Sequence, residues 1–440
     1  MPRLSTHIAN RKPTAIRRAG LLFAERRDGC ESISVAEGNV SLPMHPAMIK
    51  RLHNLNAPGS PFSQGVVRYT QTVGLPETRE AFKKVIRASG CDTEGLNVQI
   101  TSGGSQAMEL LTIACSGKAG DDDMPLLLID AAYTNYRYFA KRLGRRVFSF
   151  PRRLNRDGQF TLPDIEEIED LIQKERPNAL VVIPYDNPTG QLYTQEMMVS
   201  LAKLCVKYDM WMISDEAYRE LYYVEGGRAV SIWNISEEEV PGLRGLRVSI
   251  ETASKVWNGC GLRLGALVTD NAKLYSSLLA ENTVNLCTNA ISQYIFGALN
   301  ELSLEELQAW FVKQRGYYKP LIKKFSRDMY EALPGVILGS TDASLYTVVD
   351  FRDLVNEKFC IEDFVVWCAS EGFVEEDGKK VTVLCAPMPE FYNAESMEEN
   401  LGRTQVRIAF IEKPEKMARI PGLLGKLFTQ YLNAHPELKK

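Results

Sequence analysis

Apolar residues fall along this chain in short runs separated by longer amphipathic stretches. Runs near 98–101, 126–130, 145–150, 179–184, 211–215, 246–252 and 264–268 read as strands. Between them, 76–88, 164–175 and 195–207 carry helical spacing, and an apolar helix follows Ser102 through Cys115. Strand and helix in alternation predict an α/β protein with a mostly parallel sheet. The run from Gly265 follows the strand ending near Thr252 too closely for a helical crossover, so it is expected to be antiparallel. A long helix is predicted over 302–333. Beyond it, short strands near 345–351, 380–384 and 405–410 alternate with helices in an α+β layer.

Composition narrows the class. With 440 residues the chain can form two domains or one large one, and 45% hydrophobic with 24% charged residues is ordinary for a globular protein. A net charge of -3 makes no case for nucleic acid. No apolar run reaches the roughly 18 residues a membrane span needs. The basic start, Arg11, Lys12, Arg17 and Arg18, is interrupted by Pro13 and has no apolar region after it, so it reads as an arm leading into a helix near 15–27 and not as a signal peptide. Nine cysteines, odd in number and never spaced C-x-x-C, point to reduced thiols in the cytoplasm and not to a zinc site. All four histidines (His7, His45, His53, His435) lie near the ends, which argues against serine–histidine catalysis and an H-E-x-x-H metal site.

The chemistry concentrates in Thr252-Ala-Ser-Lys-Val-Trp-Asn-Gly-Cys-Gly-Leu-Arg-Leu-Gly265. Lys255 sits where a strand ends, and a desolvated site or a neighbouring cation such as Arg263 favours the neutral amine that condenses with an aldehyde. Thr252, Ser254 and Arg263 are the donors a phosphate dianion takes. A phosphorylated aldehyde suggests pyridoxal phosphate. A surface lysine after a strand is the bland alternative, and Gly259-x-Gly261-x3-Gly265 misses the dinucleotide G-x-G-x-x-G by one residue.

Ser254, Lys255, Trp257, Gly261, Arg263 and Gly265 together resemble the lysine segment of fold-type I pyridoxal-phosphate enzymes, the aspartate aminotransferase superfamily. The resemblance extends over roughly 30–410. It implies a three-layer large domain with a mostly parallel seven-stranded sheet, over 47–305. A smaller α+β domain would occupy 306–440, and 1–46 would be an arm and a segment joining the small domain.

Residue by residue, the resemblance places the cofactor phosphate on Gly103, Gly104 and Ser105 at a helix N-terminus, although Ser102 could instead be a plain N-cap there. Tyr133 would stack on the ring, or merely pack. Asn187, in Asp186-Asn-Pro-Thr-Gly190, and Tyr218 would meet the phenolic oxygen. Asp215 would pair with the ring nitrogen, while a helix cap is its alternative role. Tyr69, in Tyr-x4-Gly-x4-Arg, would reach the phosphate of a neighbouring subunit in a homodimer. Arg407 would grip the substrate α-carboxylate, or be an ordinary strand residue, and Ala36 lies in a segment that lines the family's substrate pocket. The implied activity is transamination between an amino acid and a 2-oxo acid, with no nucleic acid or membrane partner. A lyase or cyclase of the same fold is the alternative, and a non-catalytic regulatory module another, though regulators of that kind carry a DNA-binding domain for which residues before 30 are too few.

Overall fold

The computed structural model describes residues 2–9 and 11–440; Met1 and Asn10, part of the expected arm, lie outside them. Among the described residues there are fourteen strands: β1 (Glu31–Ser34), β2 (Asn97–Thr101), β3 (Leu126–Asp130), β4 (Val147–Pro151), β5 (Ala179–Val182), β6 (Trp211–Asp215), β7 (Arg247–Thr252), β8 (Gly265–Thr269), β9 (Ile337–Leu338), β10 (Tyr346–Asp350), β11 (Val374–Glu376), β12 (Lys379–Leu384), β13 (Ala386–Pro387) and β14 (Gln405–Ala409). The seven strands β2 to β8 make one sheet in the order β2-β8-β7-β6-β5-β3-β4. All run parallel except β8, which is antiparallel to both neighbours.

Successive side chains of these strands enter different cores. Leu127 and Ile129 join one with Phe82, Val85, Met198 and Leu201 from the helices Pro76–Ala88 and Gln195–Lys207. Leu126 and Leu128 join another with Leu110, Leu111, Phe139 and Leu278 from Gly103–Ala114, Asn135–Leu143 and Ala272–Asn282. A sheet covered on both faces needs strands that are apolar throughout, which is why these runs do not alternate.

The long helix spans Leu304–Ala332, opens with a capping box of Ser303 and Glu306, and carries Pro320 within it. Two smaller sheets follow, β13-β14-β10-β9 and β1-β12-β11. In the latter β1 pairs in parallel with β12, from Glu31 with Val381 to Ser34 with Leu384.

This topology decides where a ligand can sit. With β8 reversed, the C-terminal ends of β2, β6 and β7 and the turn after β5 open on the same edge of the large sheet. Open α/β sheets collect ligands at that edge.

Candidate active site

Lys255 leaves β7 half-buried, and its Nζ donates to the carbonyl of Gly38, in the segment after β1. Cys260 Sγ lies 4.0 Å from the same nitrogen and donates to Ser254 O at 2.7 Å. Gly38 is glycine for a steric reason: a Cβ there would stand 2.2 Å from the Tyr346 hydroxyl and 2.8 Å from Lys255 Nζ.

An anion site lies beside the lysine. The helix Gly103–Ala114 starts immediately after β2, and Ser102 at its cap position makes no side-chain capping bond, so the plain N-cap reading does not hold. The open N–H groups and positive dipole end at Gly103 to Ser105 therefore have no internal partner from the cap. Arg263 adopts a left-handed backbone conformation, φ 49°, that turns its guanidinium back to within 3.5 Å of Ser105 Oγ. Gly103 leaves room for it, since a Cβ would come within 2.6 Å of Arg263 Nη2. Thr252 and Ser254 are joined hydroxyl to hydroxyl at 2.8 Å on the same rim.

The opposite side is acidic and aromatic. Asp215 ends β6, is buried, and accepts from the Tyr136 hydroxyl at 3.1 Å and the Ala217 N–H at 3.2 Å. It thus closes a local turn, but no helix follows for it to cap. Burial pushes its pKa up to about 6, against the two hydrogen bonds, with nearby Glu251 adding to the rise. Among the described residues no lysine, arginine or histidine forms an ion pair with it. Tyr133 lines the cavity and its hydroxyl accepts from Asn135 at 3.1 Å; burial raises its pKa.

Asn187, just beyond β5, donates through Nδ2 to the Tyr218 hydroxyl at 3.2 Å and accepts at Oδ1 from Arg407 Nη1 at 2.8 Å. Arg407 also donates through Nη2 to the carbonyl of buried Ala36. Its guanidinium lies 4.3 Å from the centroid of the Tyr346 ring. Arg407 is 3% exposed, Nε has no partner, and among the described residues it is in no ion pair. A buried cation of this kind lacks the anion that would offset its desolvation.

These groups line a single cavity of about 650 Å³. It contains Gly104, Ser105, Tyr133, Asn187, Asp215, Tyr218, Thr252, Ser254, Lys255, Arg263 and Arg407 from the expected set. Ala36 joins it through its carbonyl bond to Arg407, and Gly103 through Arg263. Tyr69 does not: it is 81% exposed. Tyr346, Cys260 and the ion pair Arg17–Glu37 also line the cavity and escaped the sequence reading. Tyr346 stands in an ordinary apolar strand with no motif to mark it. Cys260 lay inside the lysine segment and could have been found there.

The set fits pyridoxal phosphate: open amides with an arginine for a phosphate, a buried carboxylate without a cation, and a lysine between them. Comparison with known proteins agrees. Residues 34–392 match the family described as aminotransferase class I and II. An aspartate/prephenate aminotransferase of Thermus thermophilus is 27% identical over 314 residues, covering 70% of this chain and 74% of that protein. Among solved structures, a mutant aspartate aminotransferase of Thermus thermophilus superposes with a TM-score of 0.77 at 20% identity, covering 97% of this chain and 100% of that one. A kynurenine aminotransferase of Pyrococcus horikoshii gives 0.77 at 19%, covering 98% and 97%.

Proposed function

Because this chain belongs to the class I and II aminotransferases, pyridoxal-phosphate enzymes that move amino groups between amino acids and 2-oxo acids, we propose that Lys255 is its catalytic residue and Arg407 its substrate anchor. The observation that carries this reading is the single cavity holding Lys255, Asp215, Asn187, Arg263 and the unpaired Arg407. When bound, pyridoxal phosphate supplies an aldehyde that takes up an amine and a ring that draws electrons from the bonds of the α-carbon.

Each residue then has one task. Lys255 Nζ would hold the aldehyde and, as a free amine, would move the proton at the substrate's α-carbon. The amides of Gly103, Gly104 and Ser105, the hydroxyls of Thr252 and Ser254, and the Arg263 fork hold the phosphate. Asp215, whose burial disfavours its charge, keeps a proton on the ring nitrogen, because a cation there is the partner it lacks. Asn187 and Tyr218 donate to the phenolic oxygen, and Tyr133 offers the ring an aromatic face. Arg407, steadied by Ala36 O and Asn187, takes the α-carboxylate, which orients the Cα–H bond for cleavage.

The same reading makes the protein a cytoplasmic homodimer, with residues 1–46 as arm and joining segment, 47–305 as the cofactor domain and 306–440 as the small domain. Exposed Tyr69, flanked by exposed Val66 and Val67, supports a subunit contact that carries Tyr69 to its partner's phosphate site. Nine free thiols, and the lack among the described residues of a helix long and apolar enough to cross a membrane, are compatible with that compartment.

The test uses the holoenzyme with one amino acid at a time. An amino acid alone releases one equivalent of its 2-oxo acid, and a second oxo acid completes the cycle with ping-pong kinetics. Aspartate and kynurenine, named in the relatives, head the donor screen, each tried against several oxo acids. Release of ammonia and pyruvate, or of a cyclised product, replaces transamination with lyase or cyclase chemistry.

A further inference from the structure

The hydroxyls of Tyr218 and Tyr346 lie 2.8 Å apart, and either could donate. Tyr218 O also accepts from Asn187 Nδ2 at 3.2 Å. A phenol has one proton and two lone-pair directions. If Tyr218 donates to Tyr346, it has nothing left to give to a ligand. If Tyr346 donates, both acceptor positions of Tyr218 are filled from the protein, and its one O–H is free to turn to the cavity that both tyrosines line.

We propose that Tyr346 is a positioning residue for the reaction: its hydroxyl donates to Tyr218 and, with Asn187, aims the single Tyr218 proton at the phenolic oxygen of the bound cofactor. The inference rests on the role given to Tyr218 above. Two further observations fix Tyr346 in place. Its ring stands edge-on to Tyr218 with centroids 5.6 Å apart and carries the Arg407 guanidinium 4.3 Å from its centroid. Its hydroxyl occupies the space that a side chain at residue 38 would need, 2.2 Å from a Cβ built there. Burial holds Tyr218 well above the ordinary phenol pKa, so it stays a donor throughout the working range. The other titratable groups around the pair are Lys255, Tyr133, Tyr318 and Arg407. Tyr346 thus joins two functions: its ring serves the arginine of the carboxylate site and its hydroxyl serves the phenolic-oxygen site.

Substitution can separate them. Tyr346→Phe keeps the ring and removes the hydroxyl; Tyr346→Leu removes both. The experiment is a spectrophotometric pH titration of the bound cofactor in the loaded wild type, Tyr346→Phe, Tyr346→Leu, Tyr218→Phe and the Tyr346→Phe/Tyr218→Phe double variant, with KM and kcat for one amino acid and a thermal melt of each. Weaker donation to the phenolic oxygen raises the pH at which the absorbance changes. Tyr346→Phe is expected to raise it by about half a unit or more, less than Tyr218→Phe does, with KM nearly unchanged. In the Tyr218→Phe background it should add nothing. Tyr346→Leu should raise KM as well, because Arg407 loses the face it rests on. If Tyr218→Phe leaves the titration where it was, the role of Tyr218 itself fails. A shift with Tyr218→Phe but none with Tyr346→Phe, or an equal shift from Tyr346→Phe with and without Tyr218, overturns the proposal while leaving the role of Tyr218 standing. A Tyr346→Phe protein that melts like the wild type but binds no cofactor overturns it too.

Discussion

Arg407 Nη1 donates to Asn187 Oδ1 at 2.8 Å, joining residues that are 220 positions apart and belong to different sheets' surroundings. The bond ties the proposed carboxylate site to the amide that also supports Tyr218, so loss of Arg407 disturbs both. Arg407→Ala should lower kcat/KM for every α-amino acid and every oxo acid tested by roughly 2 to 4 kcal/mol, about 30- to 900-fold, the cost of a lost charge-assisted pair. Arg407→Lys keeps the charge but not the fork and should recover only part of that loss. Steady-state kinetics of both half-reactions decide it; a defect limited to one substrate would place the carboxylate elsewhere.

Borohydride reduction of the holoenzyme should leave the cofactor's mass on the peptide containing Lys255. Lys255→Ala should bind the cofactor without a covalent link and lose turnover. Peptide mass spectrometry gives the answer, and label on another lysine refutes the assignment.

Burial raises the Asp215 pKa from the usual carboxylate value to about 6 in the cofactor-free fold. A raised carboxyl pKa means that the folded state binds its proton more tightly than the unfolded one. The resulting stabilisation is complete below the unfolded pKa near 4 and is lost as pH climbs through about 6. Cofactor-free Asp215→Asn, which has no charge to bury, should therefore gain stability relative to wild type as pH rises from 4 to 7, by roughly 2 to 4 kcal/mol at the top of that window. Thermal melts of the two proteins across that range measure the difference, and a gap that stays flat with pH would contradict it. The same variant should bind the cofactor more weakly.

Gly38→Ala places a methyl against the Tyr346 hydroxyl and Lys255 Nζ. Overpacking of this kind costs about 1 to 3 kcal/mol, and here it falls on the amine proposed to carry the reaction. A barrier raised by that order lowers kcat roughly tenfold or more while the fold persists. Circular dichroism alongside kinetics separates the two effects.

Mixing inactive Lys255→Ala with inactive Tyr69→Ala chains should restore partial activity, since one site of a hybrid dimer has both residues intact. Full activity of a monomer by sedimentation would remove the basis for a shared site.

The large sheet was legible because burial on both faces leaves uninterrupted apolar runs, and the reversal of β8 because the short link from Thr252 to Gly265 leaves little room for a helical crossover. Asp215, Asn187 and Lys255 were legible because each stands at the end of such a run. The helices Pro46–His53, Asn135–Leu143, Ala272–Asn282 and Ala290–Gly297 were not read. Asn135–Leu143, for example, buries only Tyr136, Phe139 and Ala140, too short a stripe to stand out by period. Strand ends also moved: 145–150 became Val147–Pro151, and 179–184 stopped at Val182. Tyr346 was invisible for another reason. Its importance comes from meeting Tyr218, 128 positions away, and no local pattern encodes such a contact.

The pairing of β1 with β12 has a consequence for how the protein comes into being. During synthesis β1 precedes every other strand, yet it must wait for the far part of the chain before its edge is covered, whereas all strands of the large sheet are available by Thr269. Contacts this distant in sequence close late. Gly38 and Ala36 follow β1 directly and reach Lys255 and Arg407 only when that pairing has formed. The candidate cavity thus cannot be complete before β12 and Arg407 have been made, and uptake of the cofactor in its final absorbing form would report that these distant segments have met.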